Sequence, residues 1–329
     1  MWGARILVVA CALLAWSEQP ARAQSSILAA GPYLHLVEDL DRSLAFYSAL
    51  LGTDPGGTTD TRAWGRNDPV AEMYGVPGTE IRTATLPVPG SDVAVELVAF
   101  RGVERPRVAP RVSDPGTALL LLFVRDLDRA VKSATAQGGS VLTPAAQPVS
   151  VRAGNRFIIV RDPDGFYIEL LQTDPMPAGA PTGNVVTARF RTTAGTLERT
   201  TGFYQGAFGF SWPALRPAAV DPVLSGMTGL PGTRTRLAIS TVPNTMATFE
   251  VAEFPDVTRQ PTTARIHGIG ASMFRVRVSD IDRVFAQALA AGATSVTPTP
   301  ITLKDNRRMV IVRDPDGLFV QIWQAAPAQ

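Results

Sequence analysis

The sequence predicts an α+β protein of four βαβββ modules that form two paired, curved mixed-sheet domains with helices outside. Two observations lead to this fold. The phrase VRDPDGFYIELLQ at 160–172 recurs as VRDPDGLFVQIWQ at 312–324. Within the first half, VEDLDRSLAFYSALLG at 37–52 resembles VRDLDRAVKSATAQGG at 124–139. The chain therefore contains a duplicated unit inside each of two duplicated halves.

Length and composition bound the class of protein. The chain has 329 residues, of which 45% are hydrophobic and 18% charged, and its formal net charge is +2. These values are typical of a globular protein with about two domains. The basic residues are scattered, which argues against nucleic acid as a partner because phosphate contacts need clustered Lys and Arg.

Residues 1–23 have the features of a secretory signal peptide. Arg5 precedes an apolar run at 6–16, and a small-x-small sequence, ARA, ends at Ala23. The run is too short for a bilayer, which needs about 20 residues. We expect cleavage near Ala23, export to the periplasm or the exterior, and no membrane attachment afterwards; an uncleaved N-terminal anchor is the alternative. Cleavage would remove Cys11, the chain's single cysteine.

Two domains of two modules each are predicted at 30–173 and 184–325, joined by a Pro- and Gly-rich linker at 174–183. In the first half, each module begins with an apolar strand that ends in Asp-Leu-Asp-Arg, followed by a helix with apolar residues at helical spacing. Asp39 and Asp126 are placed to cap the first two helices, because a carboxylate accepts hydrogen bonds from the amides of the first turn.

Three strands complete each module. In the first half, runs with strand character occur at 82–88, 93–100, 156–162 and 166–172. The Asp-Pro-Asp-Gly sequence between the last two favours a tight turn, because Pro presets φ and Gly closes the turn. One module alone buries too little surface for comfortable stability. We therefore expect consecutive modules to pair, with a ligand cleft on the concave face of each sheet.

These motifs resemble those of the vicinal oxygen chelate superfamily. The resemblance rests on the strand before DLDRSLAFYSALLG, the DPDGFYIELLQ hairpin and the βαβββ order, and it covers all four modules. Members include glyoxalase I, extradiol dioxygenases, methylmalonyl-CoA epimerase, and fosfomycin and bleomycin resistance proteins. The resemblance implies a divalent metal on the concave face, held by His, Glu or Gln from the first and last strands of two paired modules.

Carried onto this sequence, the implied ligand positions form two sets. With consecutive modules paired, the first cleft would contain Pro32, Glu96, Leu119 and Glu169, and the second Arg189, Glu250, Met273 and Gln321. Pro and Leu offer no ligand atom, Met is a poor ligand for a hard cation, and Arg repels one. The expectation is therefore no cofactor, or a weakly bound divalent metal such as Mg²⁺, Mn²⁺ or Ca²⁺ at Glu96 and Glu169.

Without a metal, close carboxylates at Glu96 and Glu169 would raise one another's affinity for a proton. Both are therefore candidate catalytic residues for acid–base chemistry. The second cleft, with Arg189 and Gln321, would suit an anionic or neutral polar ligand. The difference between Glu169 and Gln321, at matching places in the repeated phrase, predicts that the two clefts have diverged.

Strand alternation supplies the remaining candidates. Residues two apart share a face, so aromatic side chains flank Glu169 and Gln321. The candidate ligand-binding residues are Tyr167, Arg189, Glu250, Met273, Phe319, Gln321 and Trp323. The alternatives are polar residues bonded inside a closed core, or glutamates that face solvent. His35 is expected to face away from the ligand positions in a structural role, and His267 to lie in a surface loop.

Two classes of function remain open from the sequence. The first is an exported protein that binds a small polar molecule in a concave cleft, without the His-based metal site of its relatives. The second is a metal-dependent lyase, isomerase or dioxygenase that acts through Glu96 and Glu169. Two module pairs within one chain make a monomer possible, with a homodimer as the alternative.

Overall fold

The computed structural model describes residues 26–53, 61–152, 154–176 and 179–327. The predicted signal peptide lies outside the described residues. Within the described ranges, no helix combines the length and the apolar character needed to cross a bilayer.

The described residues form four modules of the predicted order, with short additional elements. Module 1 contains β1 (Ile27–Ala30), β2 (Tyr33–Leu36), α1 (Leu40–Leu51), β3 (Thr61–Arg66), α2 (Asp68–Met73), β4 (Glu80–Pro87) and β5 (Ala94–Arg101). Module 2 contains β6 (Ala118–Val124), α3 (Leu127–Ala136), β7 (Ser140–Val141), β8 (Val149–Arg152), β9 (Asn155–Arg161) and β10 (Tyr167–Gln172). Module 3 contains β11 (Val185–Ala194), α4 (Leu197–Phe208), β12 (Ala219–Val220), α5 (Pro222–Met227), β13 (Arg234–Thr241) and β14 (Thr248–Glu253). Module 4 contains β15 (Ser272–Val278), α6 (Ile281–Ala290), β16 (Thr294–Ser295), β17 (Ile301–Thr302), β18 (Arg308–Arg313) and β19 (Phe319–Gln324).

The modules pair two by two into mixed sheets, which confirms the predicted fold class. Sheet A joins modules 1 and 4 in the order β16-β18-β19-β15-β2-β5-β4-β3, with β1 on β15 and β17 on β18. Sheet B joins modules 2 and 3 in the order β12-β13-β14-β11-β6-β10-β9-β7, with β8 on β9. In each sheet the first strands of the two modules meet antiparallel, β2 on β15 and β6 on β11.

The expectation that consecutive modules share a sheet is wrong. Module 1 pairs with module 4, so Glu96 on β5 and Glu169 on β10 belong to different sheets. Arg189 on β11 and Gln321 on β19 are separated in the same way. Every module offers a similar apolar first strand as its pairing edge. The strand patterns therefore indicate that each module pairs with another one, but they do not say which. The partner is decided by contacts between residues that are distant in sequence.

One apolar core lies between the two sheets and the helices. It contains residues of both sheets together with α1, α3, α4 and α6. Tyr33 of sheet A stacks on Phe190 of sheet B with ring centroids 4.6 Å apart, and Phe274 meets Phe249 at 4.8 Å. Because this core covers one face of each sheet, the opposite faces are left to form clefts.

The helix ends follow the predicted chemistry. Asp39 accepts hydrogen bonds from the amides of Asp41 and Arg42, and Asp126 accepts one from Arg129. At the other end of α1, Gly52 adopts a left-handed conformation with φ of 68°, which favours glycine because a Cβ would be strained there.

The Asp-Pro-Asp-Gly sequences form the predicted corners between β9 and β10 and between β18 and β19. Their aspartates also clamp a helix of the preceding module. Asp164 accepts hydrogen bonds from Arg42 Nη2 at 2.7 Å and Ser43 Oγ at 3.0 Å, and Asp162 accepts one from Tyr47 Oη at 3.0 Å. The Asp-Pro-Asp-Gly corner of module 2 therefore holds helix α1 of module 1 in place.

The second corner repeats this clamp on α4. Asp316 accepts hydrogen bonds from Arg199 Nη2 at 2.5 Å and from Thr200 Oγ1, and Asp314 accepts one from Tyr204 Oη at 3.0 Å. These donors are the counterparts of those on α1. The duplication therefore preserved a contact between modules that lie in different sheets.

A buried histidine contacts an aspartate of the first corner, and the second corner has no such histidine among the described residues. His35 is buried, its Nε2 lies 3.0 Å from Asp162 Oδ2, and its ring packs on Phe166 at 4.6 Å. This arrangement confirms the structural role expected for His35. The matching position of the second half carries Thr192, which is also buried but cannot carry a charge.

Candidate functional site

A cleft of about 870 Å³ opens on the free face of sheet A, which we call cleft A. Its floor carries Glu96 of β5, Arg275 of β15 and Gln321 of β19. Apolar side chains from both modules surround these polar groups, among them Met73, Tyr74, Val98, Leu303 and Met309. Polar and apolar groups contribute about equally to this lining, and a cleft in which polar groups converge beside apolar walls is typical of a small-molecule site.

An ion pair joins the two modules at the floor of cleft A. Arg275 Nη1 donates to Glu96 Oε2 at 2.5 Å, and the two side chains are only 12% and 15% exposed. The stem of Arg275 passes over Gly31, where an added Cβ would lie 2.7–2.9 Å from three of its carbons. Gly31 also donates its amide to the Arg275 carbonyl at 2.8 Å. These contacts fix the position of the guanidinium.

Gln321 lies beside this pair and is fully buried. Its Nε2 approaches Met73 Sδ at 3.7 Å, a weak interaction, and its Oε1 has no partner among the described residues. A buried amide oxygen without a donor is costly unless water or a ligand supplies one. Gln321 therefore retains hydrogen-bonding capacity at the floor of cleft A.

The free face of sheet B, cleft B, carries a buried charged triad instead. Arg191 donates to Glu250 Oε2 from Nε at 3.0 Å and from Nη2 at 2.7 Å, and its Nη1 donates to Glu169 Oε2. Arg189 adds a contact of 3.1 Å to the other oxygen of Glu250. All three members of the triad are buried. The carboxylates of this cleft are therefore occupied by the protein's own cations.

The electrostatics of the triad follow from burial. Burial alone would lower the pKa of Arg191, but the charges of Glu169 and Glu250 outweigh it and raise that pKa. Burial raises the pKa of Glu169, because Arg191 offsets only part of the cost of desolvation. Arg191 therefore remains a cation at the centre of the triad.

Short helix α5 closes cleft B. Its Leu224 and Met227 are buried against an apolar cluster that includes Leu121, Ile159 and Tyr167 of module 2. Because α5 contacts β13 of its own module and β8 and β9 of the partner module, it spans the seam of sheet B. The triad is thus covered by packed side chains, whereas the ion pair of cleft A faces an open volume.

The residues present do not fit the divalent metal that the resemblance implies. In the described parts of the chain, no three His, Cys, Asp or Glu side chains gather where they could hold a metal ion. At both floors a guanidinium lies against the glutamates and would repel a second cation. The shared metal site expected at Glu96 and Glu169 is wrong, because those residues lie in different sheets.

The two arginines come from opposite sides of the clefts. Glu96 and Glu250 occupy matching strands, and so do Gln321 and Glu169. Arg275 belongs to the first strand of module 4, whereas Arg191 belongs to the first strand of module 3, the counterpart of module 1. Each cleft therefore receives its guanidinium from a different module of the second half.

The structure divides the predicted site residues between the sheets. Glu96 and Gln321 line cleft A, with Met273, Phe319 and Trp323 packed in the adjoining apolar cluster. Tyr167, Glu169, Arg189 and Glu250 belong to sheet B. Within that sheet, Tyr167 Oη donates to the Pro110 carbonyl at 2.7 Å. His267 lies in the predicted loop, where burial lowers its pKa.

Sequence reasoning missed Arg191 and Arg275. Arg191 lies two residues after the candidate Arg189, and Arg275 lies two residues after the candidate Met273. Each arginine therefore faces the same side of its strand as that candidate. The signal that could have found them is an arginine at an inward position of an otherwise apolar strand, because such a charge needs a buried partner.

A protein-family model covers most of the chain. The model of the Glyoxalase/Bleomycin resistance protein/Dioxygenase superfamily matches residues 31–170 and 188–322.

Two characterised relatives share 28% identity with parts of the chain. The first is 2-epi-5-epi-valiolone epimerase of an Actinomyces species, over 149 residues that make up 45% of this chain and 79% of the epimerase. The second is lactoylglutathione lyase GLX1 of Arabidopsis thaliana, over 183 residues, 54% of each protein. The match to the lyase therefore spans about half of that enzyme.

A solved structure extends the similarity to the whole fold. Glyoxalase I from Zea mays superposes with a TM-score of 0.59 over 92% of both chains, at 19% sequence identity. At that identity the likeness establishes the fold alone. Since the family model matches both halves, the chain belongs to the Glyoxalase/Bleomycin resistance protein/Dioxygenase superfamily.

Proposed function

We propose that this protein is exported and binds a small polar molecule in cleft A, without the His-based metal site of its relatives. The observation that carries the proposal is the open cleft of about 870 Å³ with Glu96, Arg275 and Gln321 at its floor. Its apolar walls would bury most of a small ligand, and the three polar groups would fix its orientation.

The contrast between the two clefts supports cleft A as the binding site. In cleft B, Arg191 occupies oxygens of both glutamates and α5 covers the face. In cleft A, Gln321 keeps an unpartnered oxygen among the described residues, and Arg275 has one carboxylate partner, Glu96. Polar groups that still have hydrogen-bonding capacity beside an open volume can bind a ligand.

An enzyme remains the alternative, and the names of the two characterised relatives favour it. One is an epimerase and the other a lyase. In this alternative Glu96 would transfer the proton, because it is the carboxylate that lines cleft A within the described residues. Glu169 would take no part, since it lies in sheet B.

The test is a stabilisation screen of the purified mature protein with small polar molecules, combined with elemental analysis. We expect no stoichiometric metal, and a ligand that raises the unfolding temperature in proportion to its concentration. Stoichiometric Mn²⁺, Zn²⁺ or Fe²⁺ together with turnover would instead establish the enzyme. Export is tested separately by fractionation of cells that make the full chain, with mass spectrometry to locate cleavage near Ala23.

A further inference from the structure

Building on the proposed function, we propose that the ligand of cleft A is a small organic acid with an apolar body, whose carboxylate binds the Arg275 guanidinium.

The charges around cleft A favour an anion. The lining contains Arg66, Arg275 and Arg307, and Glu96 is the one carboxylate in the described lining. Arg307 is balanced by Asp305, which lies outside the lining, at 2.7 Å. With that pair set aside, Arg66 and Arg275 outnumber Glu96, and the excess is the charge of Arg66, which is exposed and lies opposite Glu80 on β4. Such an excess in a partly enclosed cleft attracts anions.

The geometry of Arg275 suits a carboxylate. One nitrogen, Nη1, is held by Glu96, and the Arg275 side chain lines the open cleft with 12% of its surface exposed. A guanidinium presents several donors in one plane and can therefore bind two carboxylates along different edges. Because Gly31 and Glu96 fix the side chain, little conformational freedom would be lost on binding.

The walls of cleft A indicate the chemistry of the remaining part of the ligand. Val70, Val98, Leu303 and Met309 provide apolar walls on both sides of the seam between modules 1 and 4. The Gln321 amide lies beside the ion pair and could bond a hydroxyl or amino group near the acid. An acid that is polar throughout would leave these walls in contact with water.

The experiment uses a panel of phenyl, naphthyl and short aliphatic carboxylic acids, each paired with its own primary amide. Binding to the mature protein is measured by thermal shift and calorimetry. We expect acids to bind at least about tenfold more tightly than their amides, because the amide forfeits the charged hydrogen bond. This comparison needs no variant and so does not depend on a mutant that folds.

Variants then assign the effect to Arg275. Arg275→Gln should weaken acid binding about 10- to 100-fold and amide binding little. Arg275→Lys, which keeps the charge, should retain part of the preference for acids. Arg277→Gln is the matched control, because Arg277 lies on the same strand, outside the cleft lining, with its guanidinium over the Trp323 ring.

Three results would overturn this inference. They are equal binding of acids and amides, acid binding that survives Arg275→Gln, and a panel in which no acid binds. If a neutral molecule from the wider screen binds in cleft A, the proposed function stands while this inference fails. If nothing polar binds in cleft A, both fail.

Discussion

Glu96 accepts a hydrogen bond from Arg275 at 2.5 Å across the seam between the first and last modules of the chain. The two residues are 179 positions apart in sequence. Glu169, the residue expected to work with Glu96, instead contacts Arg191 in the other sheet. The pairing of modules therefore decided which residues share a cleft, and with it the chemistry each cleft can perform.

Removal of Arg275 should destabilise the protein. Arg275→Gln leaves Glu96 with a poorly solvated, unpaired charge, and we expect a loss of about 1–3 kcal/mol in the free energy of unfolding. The loss should be smaller than for a fully buried pair, because both side chains keep some exposure. Urea denaturation measures it, with Arg277→Gln as control. The double variant Arg275→Gln, Glu96→Gln should recover stability; no recovery would mean that the ion pair is not the cause.

The triad of cleft B should behave as a structural unit. Arg191→Met leaves two carboxylates buried together, and we expect a loss of about 3–5 kcal/mol in the free energy of unfolding. Replacing the whole triad, by Arg191→Met with Glu169→Leu and Glu250→Leu, should restore most of it, because apolar packing often matches a buried ion network. Denaturant unfolding of both variants checks this. Equal stability of the single and triple variants would contradict it.

Glu169 should not contribute to ligand binding. Because it lies in sheet B, Glu169→Gln should change the dissociation constant of a cleft A ligand by less than about twofold. Glu96→Gln, a chemically identical change at the floor of cleft A, should change it by much more. Calorimetric titration of the two variants with one stabilising molecule compares them. A large effect of Glu169→Gln would show that the clefts communicate.

Stability should fall as pH rises from about 4 to about 7, through Asp314. Burial and the neighbouring charge of Asp316 raise the pKa of Asp314 to about 7, above the ordinary value of about 4. Between these two pKa values the folded protein keeps the Asp314 proton that the unfolded chain has lost. The contribution of this proton to stability is therefore complete below pH about 4 and disappears as the pH rises to about 7.

The variant Asp314→Asn isolates this effect, since it cannot titrate. The difference in unfolding free energy between wild type and variant should decline across that interval and then level off. A difference that stays constant from pH 4 to pH 7 would show that Asp314 is not the titrating group.

Gly31 should be required for the position of Arg275. In Gly31→Ala the new methyl group would lie under 3 Å from the Arg275 stem, so we expect a loss of about 1–3 kcal/mol in unfolding free energy and weaker ligand binding. Gly202→Ala in α4 is the control, because nothing lies within 4 Å of its added Cβ. That change should stabilise the helix by about 0.5–1 kcal/mol. Similar losses for both variants would rule out the steric explanation.

The local sequence patterns of each module determined its secondary structure and helix ends. The strand patterns placed β4, β5, β9 and β10 within two residues of their observed bounds, and Asp39 and Asp126 cap the helices they precede. The odd separation of His35 from Pro32 placed it on the core face. These features depend on neighbours within a few residues, which is why one sequence was sufficient to predict them.

Tertiary structure alone decided which modules meet, and therefore the content of the clefts. All four modules carry similar pairing edges, so strand patterns favour no partner, and the choice of module 4 for module 1 rests on contacts between distant residues. That choice placed Arg275 against Glu96 and enclosed Arg191 between Glu169 and Glu250. A buried charge needs a partner, but its sequence position does not say which residue the fold will bring to it.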